Sequence, residues 1–247
     1  LTRFRCADPN QQALTAGPGA DVTVEGCVFE DCAGGTGETD GSGAILVQSA
    51  ARLVVRRCIF RNLQAHRGAA LSSWVKGSDL NLDPDASLVF ENNVVYGNEA
   101  DDAAAIYLRG AMTLEIVNNL FYDNVANDYS AAIWLRDQER ARLTFRRNVV
   151  YGCSAARGAP LETYSGEGPV VNSSIVLGNT PEPQFGEGWS ATYTLTSGAH
   201  PFVDPAAGDF ALRPGTAAID AGDPAIPNDL DGTRADQGVE VARLPLE

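Results

Sequence analysis

Residues 118–137 read NNLFYDNVANDYSAAIWLRD, a stretch that places two asparagines before a Leu-Phe pair and another, Asn124, soon after it. The segment Ala-Ala-Ile-Trp-Leu-Arg follows at 131–136. Its alternation of inward and outward positions is typical of a strand that is buried on one face. The first half of the stretch recurs along the chain as DVTVEGCVFEDC (21–32), RLVVRRCIFRNL (52–63), SLVFENNVVYGN (87–98), TLEIVNNLFYDN (113–124), RLTFRRNVVYGC (142–153) and, more loosely, PVVNSSIVLGN (169–179).

The recurring segments align on two columns rich in asparagine and cysteine. Successive members of the first column lie 26 to 35 residues apart, a period typical of repeat proteins. Asparagine at a repeated turn position favours the left-handed αL conformation, and stacked amides can hydrogen-bond along the stacking axis as a ladder. The first column contains Cys27, Cys58, Asn93, Asn119, Asn148 and Ser174, and the second contains Cys32, Leu63, Asn98, Asn124, Cys153 and Asn179.

A repeat of this size cannot bury its apolar side alone, whereas stacked copies bury a continuous core. The apolar period of two excludes the helical repeat folds. The sequence therefore predicts an all-β, single-stranded solenoid. A second strand lies between the copies at GAILVQ (43–48), AALSSW (69–74), AAIYLR (104–109), AAIWLR (131–136) and APLETY (159–164).

Two parts of the sequence resemble a known superfamily. The pairing of AAIYL or AAIWL with FYDN resembles the repeats of polymorphic outer-membrane proteins, within the pectate-lyase-like superfamily of right-handed parallel β-helix proteins. The stretch PFVDPAAGDFALRPGTAAIDAGDPAIPNDLDGTRADQGVEV (201–241) is similar to the closing segment of secreted bacterial β-helix proteins. The resemblance implies a right-handed parallel β-helix of about six coils over residues 1–180. It also implies an irregular C-terminal cap over residues 181–247 that covers the last coil.

The resemblance further implies an extracellular or bacterial cell-surface location. It does not imply a chemistry, because lyases, hydrolases, adhesins and scaffolds share this fold. Residues 7–17 resemble the second half of a repeat. We therefore expect further coils or a cap upstream, as in a longer chain or assembly.

Composition narrows the set of partners. The net charge of −14 and the pI near 4.5 argue against nucleic acid, which requires a cationic surface. No apolar run approaches the roughly 18–20 residues of a transmembrane helix.

The five cysteines form no CxxC pair. Cys27 and Cys58 occupy the ladder column, so we expect small, buried and inert side chains there. Cys6 and Cys32 align on successive coils, where a disulfide is geometrically feasible.

Alternation along the second strands predicts that Ile106 and Leu108 point into the core and that Tyr107 and Arg109 point outward. The corresponding residues of neighbouring strands would form a ligand-binding face. Its aromatic residues would stack on sugar rings and its arginines would bind uronate carboxylates. The same side chains can equally pack on one another without a ligand. The predicted ligand-binding residues are Trp74, Tyr107, Arg109, Trp134, Arg136 and Tyr164.

Carboxylates precede these strands. Asp101, Asp102 and Asp128 are candidate oxygen ligands for Ca²⁺, the one cofactor that the sequence suggests. Asp101 and Asp128 are alternatively an acid and base, or acid and nucleophile, for glycoside hydrolysis. Lyase chemistry requires a base, for which His66 or Arg67 is the candidate. Aspartate before a strand is also ordinary turn chemistry.

No catalytic residue is carried over from the superfamily. EADDAA (99–104) resembles the Asp-Asp step of polygalacturonases, but their accompanying Asn-Thr-Asp, Gly-His-Gly and Arg-Ile-Lys motifs are absent. The segment NDLDGTRAD (228–236) resembles part of a calcium loop, yet it has Pro227 where the first acidic residue is required and no closing glutamate. We interpret it as a tight turn stabilised by Asx hydrogen bonds.

Three functions remain open at this point. The first is an extracellular scaffold or adhesin-like module that contacts polysaccharide or a cell-surface glycan through the exposed strand face. The second is a Ca²⁺-dependent polysaccharide lyase or a glycosidase that uses Asp101, Asp128 and His66. The third is a purely structural segment of a longer fibre or stalk.

Overall fold

The computed structural model describes residues 2–5, 12–33, 43–48, 51–73, 85–110, 112–138 and 142–245. Short parallel strands dominate these residues, and short 3-10 turns occur at Pro205–Ala207 and Val241–Arg243. The part of the chain that the structure describes contains no helix with the length and apolar character of a membrane span.

Four parallel sheets run along the molecule, and each of the coils that begin at Arg52, Ser87, Thr113 and Leu143 contributes one strand to each sheet. Sheet I contains β3 (Asp21–Glu25), β6 (Arg52–Arg56), β10 (Ser87–Glu91), β14 (Thr113–Val117), β18 (Leu143–Arg146), β22 (Val170–Asn172) and β24 (Ser190–Thr192). Sheet II contains β1 (Thr2–Phe4), β4 (Cys27–Glu30), β7 (Ile59–Arg61), β11 (Val94–Tyr96), β15 (Leu120–Tyr122), β19 (Val149–Tyr151) and β23 (Ile175–Leu177).

Sheets III and IV complete each coil. Sheet III contains β8 (Gln64–Arg67), β12 (Glu99–Asp102), β16 (Val125–Tyr129) and β20 (Ser154–Arg157). Sheet IV contains β2 (Leu14–Ala16), β5 (Ile45–Val47), β9 (Leu71–Ser72), β13 (Ile106–Arg109), β17 (Ile133–Gln138) and β21 (Leu161–Gly166).

Five successive coils begin at β3, β6, β10, β14 and β18, and β22 with β23 forms the first half of a sixth. The predicted all-β parallel solenoid is therefore confirmed.

The ladder predicted from the asparagine columns is present at both ends of sheet II. In the first column, Asn119 Oδ1 accepts hydrogen bonds from the main-chain N–H of Asn93 at 2.9 Å and from its side-chain Nδ2 at 3.0 Å. Asn148 Oδ1 accepts the equivalent pair from Asn119. In the second column, Asn124 Oδ1 accepts both bonds from Asn98. These buried amides join consecutive coils.

The left-handed conformation lies one residue before the ladder, not on it. Asn92 and Asn118 have φ values of 57° and 56°, and the ladder residues Asn93 and Asn119 follow them. The prediction that the ladder asparagines themselves adopt αL geometry is therefore wrong in position. The residue in αL geometry turns the chain, and the next side chain is thereby directed inward to the buried ladder.

The interior contains a stack of aromatic rings. Phe29 and Phe60, at equivalent positions of β4 and β7, have ring centroids 4.9 Å apart and an interplanar angle of 6°. Phe4 extends this stack at one end with a centroid separation of 5.1 Å, and Phe90 and Phe121 continue the aromatic row in the core. Each of these coils thus packs an aromatic ring against the next.

The cysteines are mostly structural. Cys58 and Cys153 are free and fully buried, and burial raises the pKa of both thiols to about 12. Cys27 is free and half-buried, so the prediction of a buried stacker holds for Cys58 but only partly for Cys27. Cys32 is disulfide-bonded. Its predicted partner, Cys6, lies outside the described residues.

The segment after residue 180 covers more than the last coil. Its first part closes the end of the solenoid: Trp189 joins the main core, contacts Phe145 edge-on at 5.9 Å, and donates its indole N–H to Thr163 Oγ1 at 2.6 Å. Phe185 packs against the same core, and its bridge to Leu161 continues sheet IV. These residues therefore shield the end of the core from solvent.

Residues 200–244, which we call the strap, run back along the outer face of sheet II. Strap residues Phe202, Phe210 and Val239 pack in one buried cluster with Leu120 and Val149. The strap includes the hairpin of β25 (Phe202–Asp204) and β26 (Asp209–Leu212). The strap lies there because sheet II has apolar residues on both faces, so its outer face must also be covered.

Buried polar contacts attach the strap to the turns between sheets I and II. The main-chain N–H of Glu240 donates to Asn118 Oδ1 at 2.6 Å. Arg147 Nη2 pairs with Asp229 and with Glu240. The segment 228–236 supplies Asp229 and is a turn, as predicted, in which Asp231 Oδ1 accepts from the main-chain N–H of Thr233 at 2.9 Å.

We expect Asn119→Ala to lower the free energy of unfolding by about 1–3 kcal/mol for each buried group that loses its partner. The Asn93 main-chain N–H and the Phe90 carbonyl, to which Asn119 Nδ2 donates at 2.8 Å, are the principal groups affected. Chemical denaturation followed by circular dichroism measures the change. Asn127→Ala, at an exposed asparagine bonded to Glu99, is the control and should change stability by less than about 0.5 kcal/mol. Equal effects of the two variants would contradict a structural role for the ladder.

Candidate functional site

The candidate site is the corner between sheets III and IV. The coils that begin at β6, β10, β14 and β18 turn this corner through three short residues, the first with a positive φ, as in Ala103 at 51° and Ser130 at 59°. A side chain has no room in the first position of the β8–β9 turn, because a Cβ on Gly68 would lie 2.3 Å from the carbonyl oxygen of Leu71. The turn brings outward-facing side chains of sheet III against those of sheet IV. The Ala-Ala pairs thus mark a tight corner.

The predicted alignment of side chains across the coils is confirmed. In sheet III, Asp102 is in register with Arg67 on one side and Tyr129 on the other. In sheet IV, Trp134 is in register with Tyr107 and Glu162. A bulge between Ala126 and Tyr129 shifts the register of β16, so Asp128 does not lie opposite one residue of β12.

Tyr107 and Trp134 leave the main core as predicted, but they do not form an open surface. Tyr107 is 0% exposed and Trp134 is 8% exposed. The two rings meet edge-on at 5.3 Å, and the Tyr129 ring packs on Trp134 at 5.0 Å. The Arg67 guanidinium lies 5.3 Å from the Tyr107 ring centre. The prediction that Tyr107 offers its ring to a ligand is therefore wrong, because side chains of sheet III cover it.

The part of the predicted face that reaches solvent is a row that we call the rim, formed by the half-buried Arg109 and Arg136 and the exposed Tyr164. These three residues are in register on adjacent strands. Tyr164 is 57% exposed, and the Arg136 guanidinium lies 4.5 Å from its ring centre. Arg109 Nε donates to Asp137 at 3.2 Å. Trp74, the remaining predicted aromatic, lies outside the described residues.

The three predicted carboxylates do not converge on one metal ion. Asp102 pairs with Arg67 at 3.0 Å. Asp128 accepts two hydrogen bonds from Arg157, at 2.6 and 2.7 Å. Among the described residues, no three histidine, cysteine, aspartate or glutamate side chains form a metal-binding group. The predicted Ca²⁺ cluster of Asp101, Asp102 and Asp128 is therefore not formed by these side chains.

Of the predicted catalytic residues, the structure brings two together. His66 Nδ1 lies 2.9 Å from Asp101 Oδ2. The side chain of His66 is 13% exposed and that of Asp101 is 41% exposed, so the pair is accessible from one side. Asp128 lies in the separate ion pair with Arg157 and does not contact either of them through a hydrogen bond in the described part of the chain.

Two neighbours of Trp134, Glu162 and Tyr129, are not among the predicted site residues. Glu162 is buried, and its carboxylate accepts hydrogen bonds from the main-chain N–H groups of Ala159 and Thr163 at 3.0 and 3.2 Å. Burial, followed by the negative charge of Glu162, raises the pKa of Tyr129. The sequence does carry a signal for these neighbours. Polar and aromatic residues align on both sides of the Ala-Ala pairs, and the two aligned rows face each other where the corner is sharp.

Comparison with known proteins agrees with the architecture. The family model described as right-handed β-helix region matches residues 2–181. The chain belongs to the right-handed β-helix family. No curated protein and no solved structure matches the chain. Membership of the β-helix family accounts for the coil and its handedness and assigns no reaction.

The difference in burial between Trp134 and Tyr164 predicts unequal losses of stability when each ring is removed. We expect Trp134→Ala to lower the free energy of unfolding by about 3–5 kcal/mol, because it leaves a cavity against Tyr107 and Tyr129. Tyr164→Ala should lower it by less than about 1 kcal/mol, because most of that ring already faces solvent. Thermal and urea unfolding of the two variants measure both values. A larger loss for Tyr164→Ala would contradict the assignment of buried and exposed rings.

Proposed function

We propose that this β-helix protein is an extracellular or cell-surface scaffold, adhesin-like in role, that contacts polysaccharide through the rim. The observation that carries the proposal is the Tyr164 ring, which is mostly exposed although a guanidinium lies over it at 4.5 Å. An exposed aromatic ring beside arginines is a common composition of recognition surfaces.

The rim has the chemistry for an acidic glycan. Its residues are one strand spacing apart, about 4.8 Å, so an extended polymer that crosses the strands would meet Arg109, Arg136 and Tyr164 in sequence. Guanidinium groups bind carboxylates with directional hydrogen bonds. Aromatic rings provide an apolar surface with a small loss of side-chain entropy. The whole chain is strongly acidic, with a net charge of −14, and the rim places two guanidinium groups for such a ligand, of which Arg109 also pairs with Asp137.

The disulfide at Cys32 supports an extracellular location. Disulfide bonds form and persist in oxidising compartments and are rare where thiols are kept reduced. The three free thiols at Cys27, Cys58 and Cys153 are compatible with such a compartment because two of them are buried and protonated.

The proposal is tested by glycan-array binding of the purified chain, followed by titration of any glycan that binds. We expect Tyr164→Ala and Arg136→Ala each to weaken binding at least tenfold. Tyr193→Ala is a matched control, because Tyr193 is also exposed and also has an arginine, Arg234, near its ring at 5.7 Å. It should bind as wild type does.

An absence of binding to acidic and neutral glycans, or equal losses for Tyr164→Ala and Tyr193→Ala, would overturn the proposal. The alternative would then be the purely structural segment of a fibre or stalk.

The His66–Asp101 pair favours a second candidate function, a polysaccharide lyase or glycosidase. A carboxylate that accepts a hydrogen bond from histidine fixes its tautomer and orientation, which prepares the other nitrogen to act as a base. Asp128 is less suited to be the partner acid, because both of its carboxylate oxygens already accept hydrogen bonds from Arg157.

Incubation with a panel of uronans, with and without EDTA, separates this candidate from the scaffold. Absorbance of unsaturated ends reports lyase activity, and released reducing ends report hydrolysis. If the pair is catalytic, we expect His66→Ala to abolish product formation and Asp101→Asn to reduce it at least tenfold. Wild-type protein that forms no product on any substrate would contradict an enzymatic role.

A further inference from the structure

A cavity of about 220 Å³ lies on a different side of the molecule, between the strap and the turns that join sheets I and II. The turn residues Asn92, Asn118 and Arg147 form one wall, and strap residues 226–228 and Arg243 form the other. The volume is below the roughly 300–1,000 Å³ of pockets for drug-sized ligands. A single small molecule therefore suits this cavity better than a polymer does.

The cavity has cationic groups that the fold does not fully use. Arg147 is 8% exposed, and its Nη2 pairs with Asp229 and Glu240 on the strap. Its Nε–H is also buried but has no hydrogen-bond partner among the described residues. Arg146, the next lining residue, forms no ion pair within the described part of the chain. A buried donor without an acceptor is destabilising, and an incoming oxygen atom would remove this cost.

The same cavity also presents a carboxylate and two amide groups that are not fully hydrogen-bonded. The carboxylate of Glu91 lines it and forms no ion pair or hydrogen bond with the described residues. Asn92 Oδ1 accepts from Asn118 Nδ2 at 2.9 Å, which leaves the Asn92 amide group available as a donor. Asn228 donates to the carbonyl of Gly232, which leaves its own oxygen available. Unpaired groups of both signs therefore face one small space.

The strand register sets the spacing of the two charged residues. Glu91 is in register with Val117, and Val117 is in register with Arg146. The Cα atoms of Glu91 and Arg146 are therefore two strand spacings apart, about 9–10 Å, and these two described side chains do not pair with each other. Val117, Ile226 and part of Pro227 supply apolar lining between them.

We propose that this cavity binds a free α-amino acid with a small aliphatic side chain. The ligand carboxylate accepts from Arg146 and from the unpartnered Arg147 Nε–H. The ligand ammonium group donates to Glu91, and the aliphatic group packs on Val117 and Ile226. Glu91 disfavours simple anions by repulsion, and the arginines disfavour simple cations, so the site selects a zwitterion. The site is independent of the rim and of the proposed glycan contact.

Isothermal titration calorimetry of the full chain with L-valine tests the proposal. 3-Methylbutanoate lacks the ammonium group and isobutylamine lacks the carboxylate, and both keep the aliphatic group. We expect saturable binding of L-valine at one site and at least tenfold weaker binding of each analogue. No saturable binding of L-valine to folded protein, or equal binding of an analogue, would overturn the proposal.

Two variants assign the charges. Arg146→Ala should weaken L-valine binding at least tenfold, whereas Arg52→Ala, which removes an exposed arginine from the outer face of the same sheet, should leave it unchanged. Glu91→Gln keeps the shape of the side chain and removes its charge. It should weaken L-valine at least fivefold without weakening 3-methylbutanoate.

Arg146→Ala or Glu91→Gln protein that binds L-valine with wild-type affinity would contradict the proposed contacts. Tyr164→Ala should retain full L-valine binding, so loss of the rim function and loss of this site are distinguishable. Circular dichroism confirms that each variant is folded.

Discussion

The structure depends on the hydrogen bonds that each buried asparagine makes to the coil on either side. Asn119 Oδ1 accepts hydrogen bonds from the main-chain and side-chain N–H groups of Asn93, and Asn119 Nδ2 donates to Asn148 Oδ1. The buried main-chain N–H groups of Asn93 and Asn119 are satisfied by the side-chain oxygen that the next coil places one strand spacing away. The two ladders, on either side of sheet II, therefore fix how coils stack. Differences in coil length are absorbed elsewhere, and the register of sheets III and IV follows.

The parts of the fold that repeat were predictable from sequence, and the parts that cover the repeats were not. Alternation gave the inward direction of Ile106 and the departure of Tyr107 and Trp134 from the main core. It could not show that Tyr129 and Arg67 lie over those rings, because the angle of the corner depends on a positive φ at Ala103 and Ser130. The strap has no period, so its path was not predictable. The surface that the strap covers was indicated in the sequence, because sheet II has apolar residues on both faces, such as Leu120 beside Phe121.

The two proposed sites reflect different ways in which a solenoid generates recognition. The rim uses the ends of adjacent strands, so its chemistry is spread along the axis and suits a polymer. The cavity exists only where the strap crosses the turns, so it is short and suits one small molecule. In both places a ligand would complete interactions that the coil leaves partly unmade: the open ring face of Tyr164 and the Nε–H of Arg147.

The strap also alters how the molecule would respond to force. In a plain solenoid each coil contacts only its neighbours, so a pull along the axis can peel the coils away one after another. Here Glu240 is bonded to Asn118, 122 residues earlier in the chain, and Arg147 is held by Asp229 and Glu240. A load applied beyond the strap is therefore transmitted first to interior coils, where several buried contacts must shear together before the terminal coil can unwind. The strap acts as a mechanical clasp.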